Sequence, residues 1–421
     1  MKVFKFGGAS VKDAAGVKNL QHILDLYTGE QLVVVISAIG KTTNHMEKLL
    51  DAYLADSETV WTLFDELKQK HYTIAQELTA DAKVITDKLD EQLNALANIL
   101  STRHSDQYDY EYDRIVCYGE LLSTTLISTY LNMVGKKNQW IDARTIIRTD
   151  STYREAKVDW DASEGSIQVA IARCMMNNPI AITQGFIGGN LLNLSTTLGR
   201  EGSDYSAAII AYSLNAESVT IWKDVPGLLN ADPKYYADAV KLDHIPYDEA
   251  IELSYYGASI IHPKTLKPLQ NKAIPLYVKS FCDPEAEGSL ISDRAPGKLT
   301  PSYIFKRNQI LISIFPKDFA FIDTDNLCEI FGILSSNRLK INLMQNSALS
   351  FSICIDNQPR VSKAIDLLSQ KFRIKYNEKV ELITIRHYTN KLADKVVHGR
   401  EIYVEQRNRT TLQLIVKSEE A

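Results

Sequence analysis

Short apolar runs alternate with helical patterns through the first two thirds of the chain. Val3–Phe6, Leu32–Ser37, Gln139–Asp142, Ile180–Thr183, Val219–Lys223 and Pro275–Ser280 read as buried strands. Helical spacing fills the intervals, for example from near Val11, over Tyr112–Met133 and over Ser203–Leu214. That alternation predicts an α/β fold, a largely parallel sheet with helices on both faces. Between Thr43 and His104 no strand pattern occurs. Leu89, Leu93, Leu96 and Leu100 recur at helical spacing there, so a helical insertion over about 45–104 is expected.

The pattern changes after Asp293–Pro301, where proline and glycine mark a linker. Beyond it come a strand (Ile310–Phe315), a helix (Asp325–Ser336), two strands (Lys340–Met344, Leu349–Ile355), a helix (Arg360–Lys371) and a strand (Ile374–Asn377). This βαββαβ order predicts a small ferredoxin-like α+β module. Glu381–His387, Glu401–Gln406 and Thr410–Val416 give three more strands, with only a short polar stretch between the first two. The expected division is therefore 1–295 and 302–421, the latter holding one module over about 308–379 and a shortened second one over 380–421.

A chain of 421 residues exceeds what one core usually organises. Its net charge of −5 argues against nucleic acid as a partner. No apolar run is long enough to span a bilayer, and the N-terminus enters a charged strand without a leader, so no membrane association is expected. The five cysteines, at 117, 174, 282, 328 and 354, form no C-x-x-C pair and fit free thiols in a reducing cytoplasm.

Four constellations bear on chemistry. In Lys5-Phe6-Gly7-Gly8-Ala9-Ser10 a strand ends in two glycines, which bare backbone N–H groups to an approaching phosphate, and Lys5 adds a charge. A plain strand-to-helix turn accounts equally well for these residues taken alone. Gly119-Glu120 opens a helical stretch, where a carboxylate also suits the dipole. Thr196 to Asp204 crowds hydroxyls, two glycines, Arg200 and an acid before a helix of small residues, more than a simple cap needs. In Trp222-Lys223-Asp224-Val225-Pro226-Gly227 a strand ends in an acid and a turn, at the edge where open α/β sheets bind ligands. Gly40-Lys41-Thr42 imitates the end of a phosphate-binding P-loop, but position 35 is Val and not the required glycine. The histidines lack metal-ligand spacing.

Taken in order, these segments resemble the aspartate kinases of the amino-acid kinase superfamily. The resemblance runs from residue 1 to about 385. It includes Lys5–Val11, Ser37–Asn44, Gly119–Ser123, Thr183–Gly188, Thr196–Tyr205, Trp222–Gly227, Asp232-Pro233 and Tyr256–Pro263. It implies the amino-acid kinase fold, ATP with Mg²⁺, and transfer of the γ-phosphoryl to the side-chain carboxylate of L-aspartate. Such a nucleophile is ionised at neutral pH and needs no general base. The resemblance makes Lys5 and Asp204 catalytic. It places Thr43, Glu120, Phe186, Arg200 and Ser203 on the amino acid, with Glu120 facing its ammonium and Arg200 its α-carboxylate. Gly7, Gly8, Ser10, Lys223, Asp224, Asp232 and Lys264 fall on the nucleotide side, and the metal is held mainly by ATP phosphates.

The tail resembles ACT modules, regulatory domains of this family. That implies a homodimer or higher homo-oligomer, with Ile310–Phe315 pairing across a two-fold axis. It also implies a feedback amino acid, lysine or threonine, near Asp325, Asn326, Asn342, Gln345 and Asn346. With no segment after 421 for a homoserine dehydrogenase domain, a monofunctional kinase is expected. Four positions depart from the family pattern: Lys223 stands where Thr is usual, Ser259 where Lys is usual, Glu201 where Gly is usual, and Asn342 where lysine-binding relatives often carry an acid. Two alternatives stay open. Another amino-acid kinase, of the acetylglutamate or glutamate 5-kinase type, should lack the Gly119-Glu120 and Gly199-Arg200 pairs. A catalytically inactive amino-acid sensor should lack Lys5 or Asp204.

Overall fold

The computed structural model describes residues 1–258, 261–294, 297, 299–318, 321–389, 396 and 398–418. Two compact units emerge. The first comprises Met1–Leu228, Lys241–Ile251 and Ile260–Pro296. The second comprises Leu229–Val240, Glu252–Ser259 and Gly297–Ala421. The division is thus not linear: 229–240 and 252–259, which the sequence pattern assigns to the first part, group with the second.

The first unit is built on an eight-stranded sheet. From edge to edge it runs His244–Pro246, Ser289–Ser292, Leu276–Ser280, Ser218–Lys223, Lys2–Phe6, Leu32–Ile36, Ile180–Gln184 and Asn138–Ile141. All neighbours are parallel except Leu276–Ser280 with Ser289–Ser292. The adjoining strands Ser218–Lys223, Lys2–Phe6, Leu32–Ile36 and Ile180–Gln184 are buried almost throughout, which is why apolar residues dominate them. Their parallel arrangement brings Phe6, Ile36, Gln184 and Lys223 to one end of the sheet, where the site lies.

The helical insertion comprises Thr42–Leu54, Thr59–Leu78 and Lys83–Leu100. Leu89, Leu93, Leu96 and Leu100 form the buried stripe of the last. Two expectations change here. The helix expected over Tyr112–Met133 is two, Tyr108–Val116 and Tyr118–Met133, interrupted at Cys117. The break puts Glu120 in a first helical turn. The helix expected from Val11 begins at Ala14, because Asp13 caps it by accepting from Gly16 N at 2.8 Å.

In the second unit one six-stranded sheet runs Ile341–Asn346, Phe351–Asp356, Ser302–Pro316, Phe372–Arg386, Thr411–Lys417, Ile402–Arg407, antiparallel throughout. The two strands expected at Ile374–Asn377 and Glu381–His387 are one, Phe372–Arg386, which serves both modules. The helices Thr324–Ser336 and Arg360–Lys371 cover the face bearing Ile310, Ile312 and Ile314. Ala231, Tyr236 and Ala239 pack with Tyr303, Ile383, Ile385, Leu412 and Leu414. A segment distant in sequence thus helps to cover this apolar face, together with Tyr388 and Val396; residues 390–395 and 397 lie outside the described residues. Ile310–Phe315 is also not an edge strand, since Phe351–Asp356 and Phe372–Arg386 flank it. The free edges are Ile341–Asn346 and Ile402–Arg407.

Candidate active site

Lys5 points from a central strand toward the start of helix Gly202–Leu214. Its Nζ lies 2.6 Å from Asp204 Oδ1, and the side chains are 11% and 6% exposed. The small residues Ala207, Ala208 and Ala211 let that helix lie close to the sheet. The turn after Lys5 is narrow for a definite reason. A β-carbon on Gly8 would come within 2.5 Å of Ala38 O and 2.9 Å of Gly40 O. Gly40 N donates to Gly8 O at 2.9 Å, zipping the two loops together. Gly8 is therefore required by a neighbouring backbone. The helix start behind the turn is not open to an anion as the sequence suggested, since Asp13 already occupies it. Ser10 Oγ is 3.4 Å from the Trp222 carbonyl, to which it donates.

Glu120 is 3% exposed. Its Oε1 accepts from Ala38 N at 3.3 Å, while Oε2 is buried with no hydrogen-bond partner among the described residues. Burial raises its carboxyl to about 8, against the Ala38 hydrogen bond, which lowers it. Gly119 lets this turn pack on Ala38 and Thr42, 3.2 and 3.5 Å from where its β-carbon would be. Thr43, half-buried, follows in the first turn of helix Thr42–Leu54.

The third wall is the loop before helix Gly202–Leu214. Gly185 lies against Ser203, whose Cβ would be 2.6 Å from a β-carbon there. Phe186 adopts φ 71°, donates from its N to Ser206 Oγ at 2.9 Å, and fits beside Gly202 only because that residue lacks a side chain. Arg200 is exposed and makes no hydrogen bond or ion pair among the described residues. Glu201 has φ 55°, where glycine is at ease, and its Oε2 accepts from His262 N at 2.9 Å.

The nucleotide-side residues are less gathered. Asp224 is exposed, Lys223 half-buried at its strand's end, and Lys264 exposed with its N donating to His262 Nδ1 at 3.1 Å. Asp232 lies in the second unit and caps its own turn by accepting from Lys234 N at 2.9 Å. Ser259 lies outside the described residues. Of the effector positions, Asp325, Gln345 and Asn346 are exposed. Asn326 is engaged in a capping box with Asp323. Asn342 binds Lys306, Gln309 and Asp356 at 2.8, 2.8 and 3.0 Å.

Two residues of the site were not singled out from sequence. Asp113 is fully buried and accepts from Thr197 N and Oγ1 at 2.8 and 2.6 Å and from Arg154 N at 3.0 Å. Burial raises its carboxyl to about 6, opposed by those hydrogen bonds. It anchors the strand that leads to Arg200. Its local sequence does not set it apart, because Asp109, Glu111 and Arg114 on the same helix are also charged. Lys70, from the helical insertion, reaches the loop after Ala38; nothing in its local sequence marks it.

The amino acid kinase family profile matches residues 1–280. The chain belongs to the amino acid kinase family. Within it, the similarity is to the aspartokinases and extends over both units. Lysine-sensitive aspartokinase 3 of Escherichia coli strain K12 is 31% identical over 414 residues, covering 95% of this chain and 90% of that protein. The structure of E. coli aspartokinase III in complex with aspartate and ADP superposes with a TM-score of 0.83 at 27% identity, covering 100% of this chain and 97% of that one. The same enzyme in complex with lysine and aspartate gives 0.84 at 28% identity, with the same coverage.

Proposed function

We propose that this aspartokinase relative transfers the γ-phosphoryl of ATP to the side-chain carboxylate of L-aspartate, giving 4-phospho-L-aspartate. The observation that carries the reading is Glu120: a buried carboxylate oxygen beside the glycine turn, with no hydrogen-bond partner among the described residues, suits an incoming ammonium. Arg200, exposed and unengaged, supplies a fork-shaped cation for the α-carboxylate. In this reading Lys5, held by Asp204, faces the transferring phosphoryl and compensates charge as the bond to the leaving oxygen breaks. Thr43, Phe186 and Ser203 orient the amino acid, and no proton need be removed from the nucleophile.

Magnesium is part of the proposal. A hard cation that keeps waters and phosphate oxygens, with one or two carboxylates nearby, suits a site whose acids are Asp204 and the exposed Asp224. Asp204 and Asp224 would help to hold it beside the ATP phosphates, and it would supply positive charge against theirs. Cytoplasmic location follows the same reading, supported by the free, largely buried thiols Cys117, Cys174 and Cys354. Feedback by an amino acid at the second unit, and a homodimer through it, complete the proposal. The exposed edge Ile341–Asn346, with Met344 half exposed, supports the latter.

The test is a coupled assay of ATP consumption with aspartate, glutamate and N-acetylglutamate offered separately. Turnover on aspartate alone is expected. Turnover on either of the others instead would move the protein to another branch of the family, and none at all would favour a sensor.

A further inference from the structure

We propose that Lys70 is a positioning residue for the phosphoryl transfer. Its ammonium holds the 38–42 loop where Ala38 N–H meets Glu120 and Gly40 N–H meets Gly8. The inference rests on the assignment of Glu120 to the substrate ammonium.

Lys70 lies on helix Thr59–Leu78 of the insertion, outside every motif that carries the resemblance. Its Nζ donates to Ile39 O at 3.1 Å and to Thr42 Oγ1 at 2.9 Å. It lies 3.7 Å from where a Gly40 β-carbon would be. Those contacts span the loop that touches both halves of the site. At one end Ala38 N donates to Glu120, and in the middle Gly40 N donates to Gly8 O at 2.9 Å.

Stability alone does not explain a lysine here. Both its acceptors are uncharged, and burial lowers its pKa. It also stands at the start of helix Thr42–Leu54, which has no side-chain cap, where the dipole favours an acid. The neighbouring ionisable groups do not offset it. Lys12 lies against Gly40, His71 is fully buried and held neutral by burial, His45 is bound to Leu63 O, and the acid Glu66, one turn before Lys70 on its helix, faces His45 Nδ1 at 4.0 Å. A cation in this position becomes favourable when two anionic substrates arrive at the loop it supports.

Around Glu120 the charge environment is simple. Its shift comes from burial, opposed by backbone hydrogen bonds from Ala38 and its own turn, and the nearby thiol Cys117 is itself buried. Loosening the loop removes the Ala38 donor and leaves the carboxylate less favoured.

The experiment compares Lys70→Met and Lys70→Arg by thermal melting, by KM for aspartate and ATP, and by the pH profile of the aspartate KM. Lys70→Met is expected to raise the aspartate KM by roughly three- to tenfold, the scale of one lost hydrogen bond. It should also move the inflection of that profile to higher pH, and Lys70→Arg should restore both. A folded Lys70→Met with unchanged aspartate KM overturns the proposal. So does a loss of melting temperature with the inflection unmoved, which is the mark of a structural role. Should Lys70→Met not fold, Thr42→Val removes one of the same bonds and should move the inflection in the same direction; an unmoved inflection there also overturns the proposal. Glu120→Gln is measured in parallel: normal aspartate binding in that variant would sink the Glu120 assignment itself, separately from Lys70.

Discussion

Lys5 Nζ and Asp204 Oδ1 lie 2.6 Å apart, both nearly buried, joining the end of a central strand to the first turn of helix Gly202–Leu214. The acid suits the positive end of that helix and fixes the lysine at the mouth of the glycine turn. Lys5→Ala is expected to lower kcat by about 10²–10³, the usual cost of removing a charge-stabilising donor. It should also destabilise the fold, because a buried acid left without its partner costs about 3–5 kcal/mol. The double variant Lys5→Met/Asp204→Asn should recover melting temperature and stay inactive. Recovered activity in the double variant would remove the pair from the chemistry.

The buried Glu120 gives a pH signature. Its folded pKa, about 8, is above the ordinary 4.5, so its protonated form favours the fold. That contribution is complete below pH 4.5 and is lost as pH rises through about 8. The ligand-free protein should therefore melt lower at pH 9 than at pH 6, and Glu120→Gln should flatten this slope. Aspartate needs the carboxylate, so its binding should release a proton near neutral pH and tighten as pH approaches 8. Calorimetry in buffers of different ionisation enthalpy reads the proton directly; equal heats in all buffers would contradict it.

Arg200→Ala should raise the KM for aspartate far more than that for ATP, since a planar fork opposite a carboxylate is not replaced by water. The side chain is exposed and supports no neighbour, so melting should not change. A weakened ATP KM with an unchanged aspartate KM would move Arg200 to the nucleotide.

Gly8→Ala should be more damaging than Gly7→Ala. A β-carbon at Gly8 falls 2.5 Å from Ala38 O, whereas one at Gly7 meets only Lys5 Nζ at 3.5 Å. The first forces two backbones apart; the second displaces a flexible ammonium. Melting and kcat of the two variants test this ordering.

Truncation after about residue 301 should yield an aggregating protein. Ala231, Tyr236 and Ala239 would lose the strands they pack on, leaving apolar surface in water. The full chain is expected to be at least a dimer, and Met344→Asp on the free edge strand should shift it toward monomer. Light scattering at micromolar concentration decides both; a monomeric full-length protein defeats the dimer.

The parallel sheet and the helical insertion are legible in the sequence, and so is the singling out of Lys5, Gly8, Glu120 and Asp204, which the fold brings into contact with one another or with the Ala38 loop. A doubly buried parallel strand is mostly apolar, so Leu32–Ile36 and the Ile180–Ile182 start of Ile180–Gln184 announce themselves. Glycines that admit another backbone, such as Gly8 and Gly185, stand next to the polar residues they serve. Tertiary structure alone decided what depends on partners distant in the chain. The merging of two expected strands into Phe372–Arg386 follows from pairing on both sides of one ribbon, which local periodicity does not register. The cover supplied by Ala231 and Tyr236, the interior position of Ile310–Phe315, the clamp of Asp113 on Thr197 and the reach of Lys70 to Ile39 are of the same kind. Spacing along a chain records which face a residue shares; it does not record which distant segment comes to meet that face.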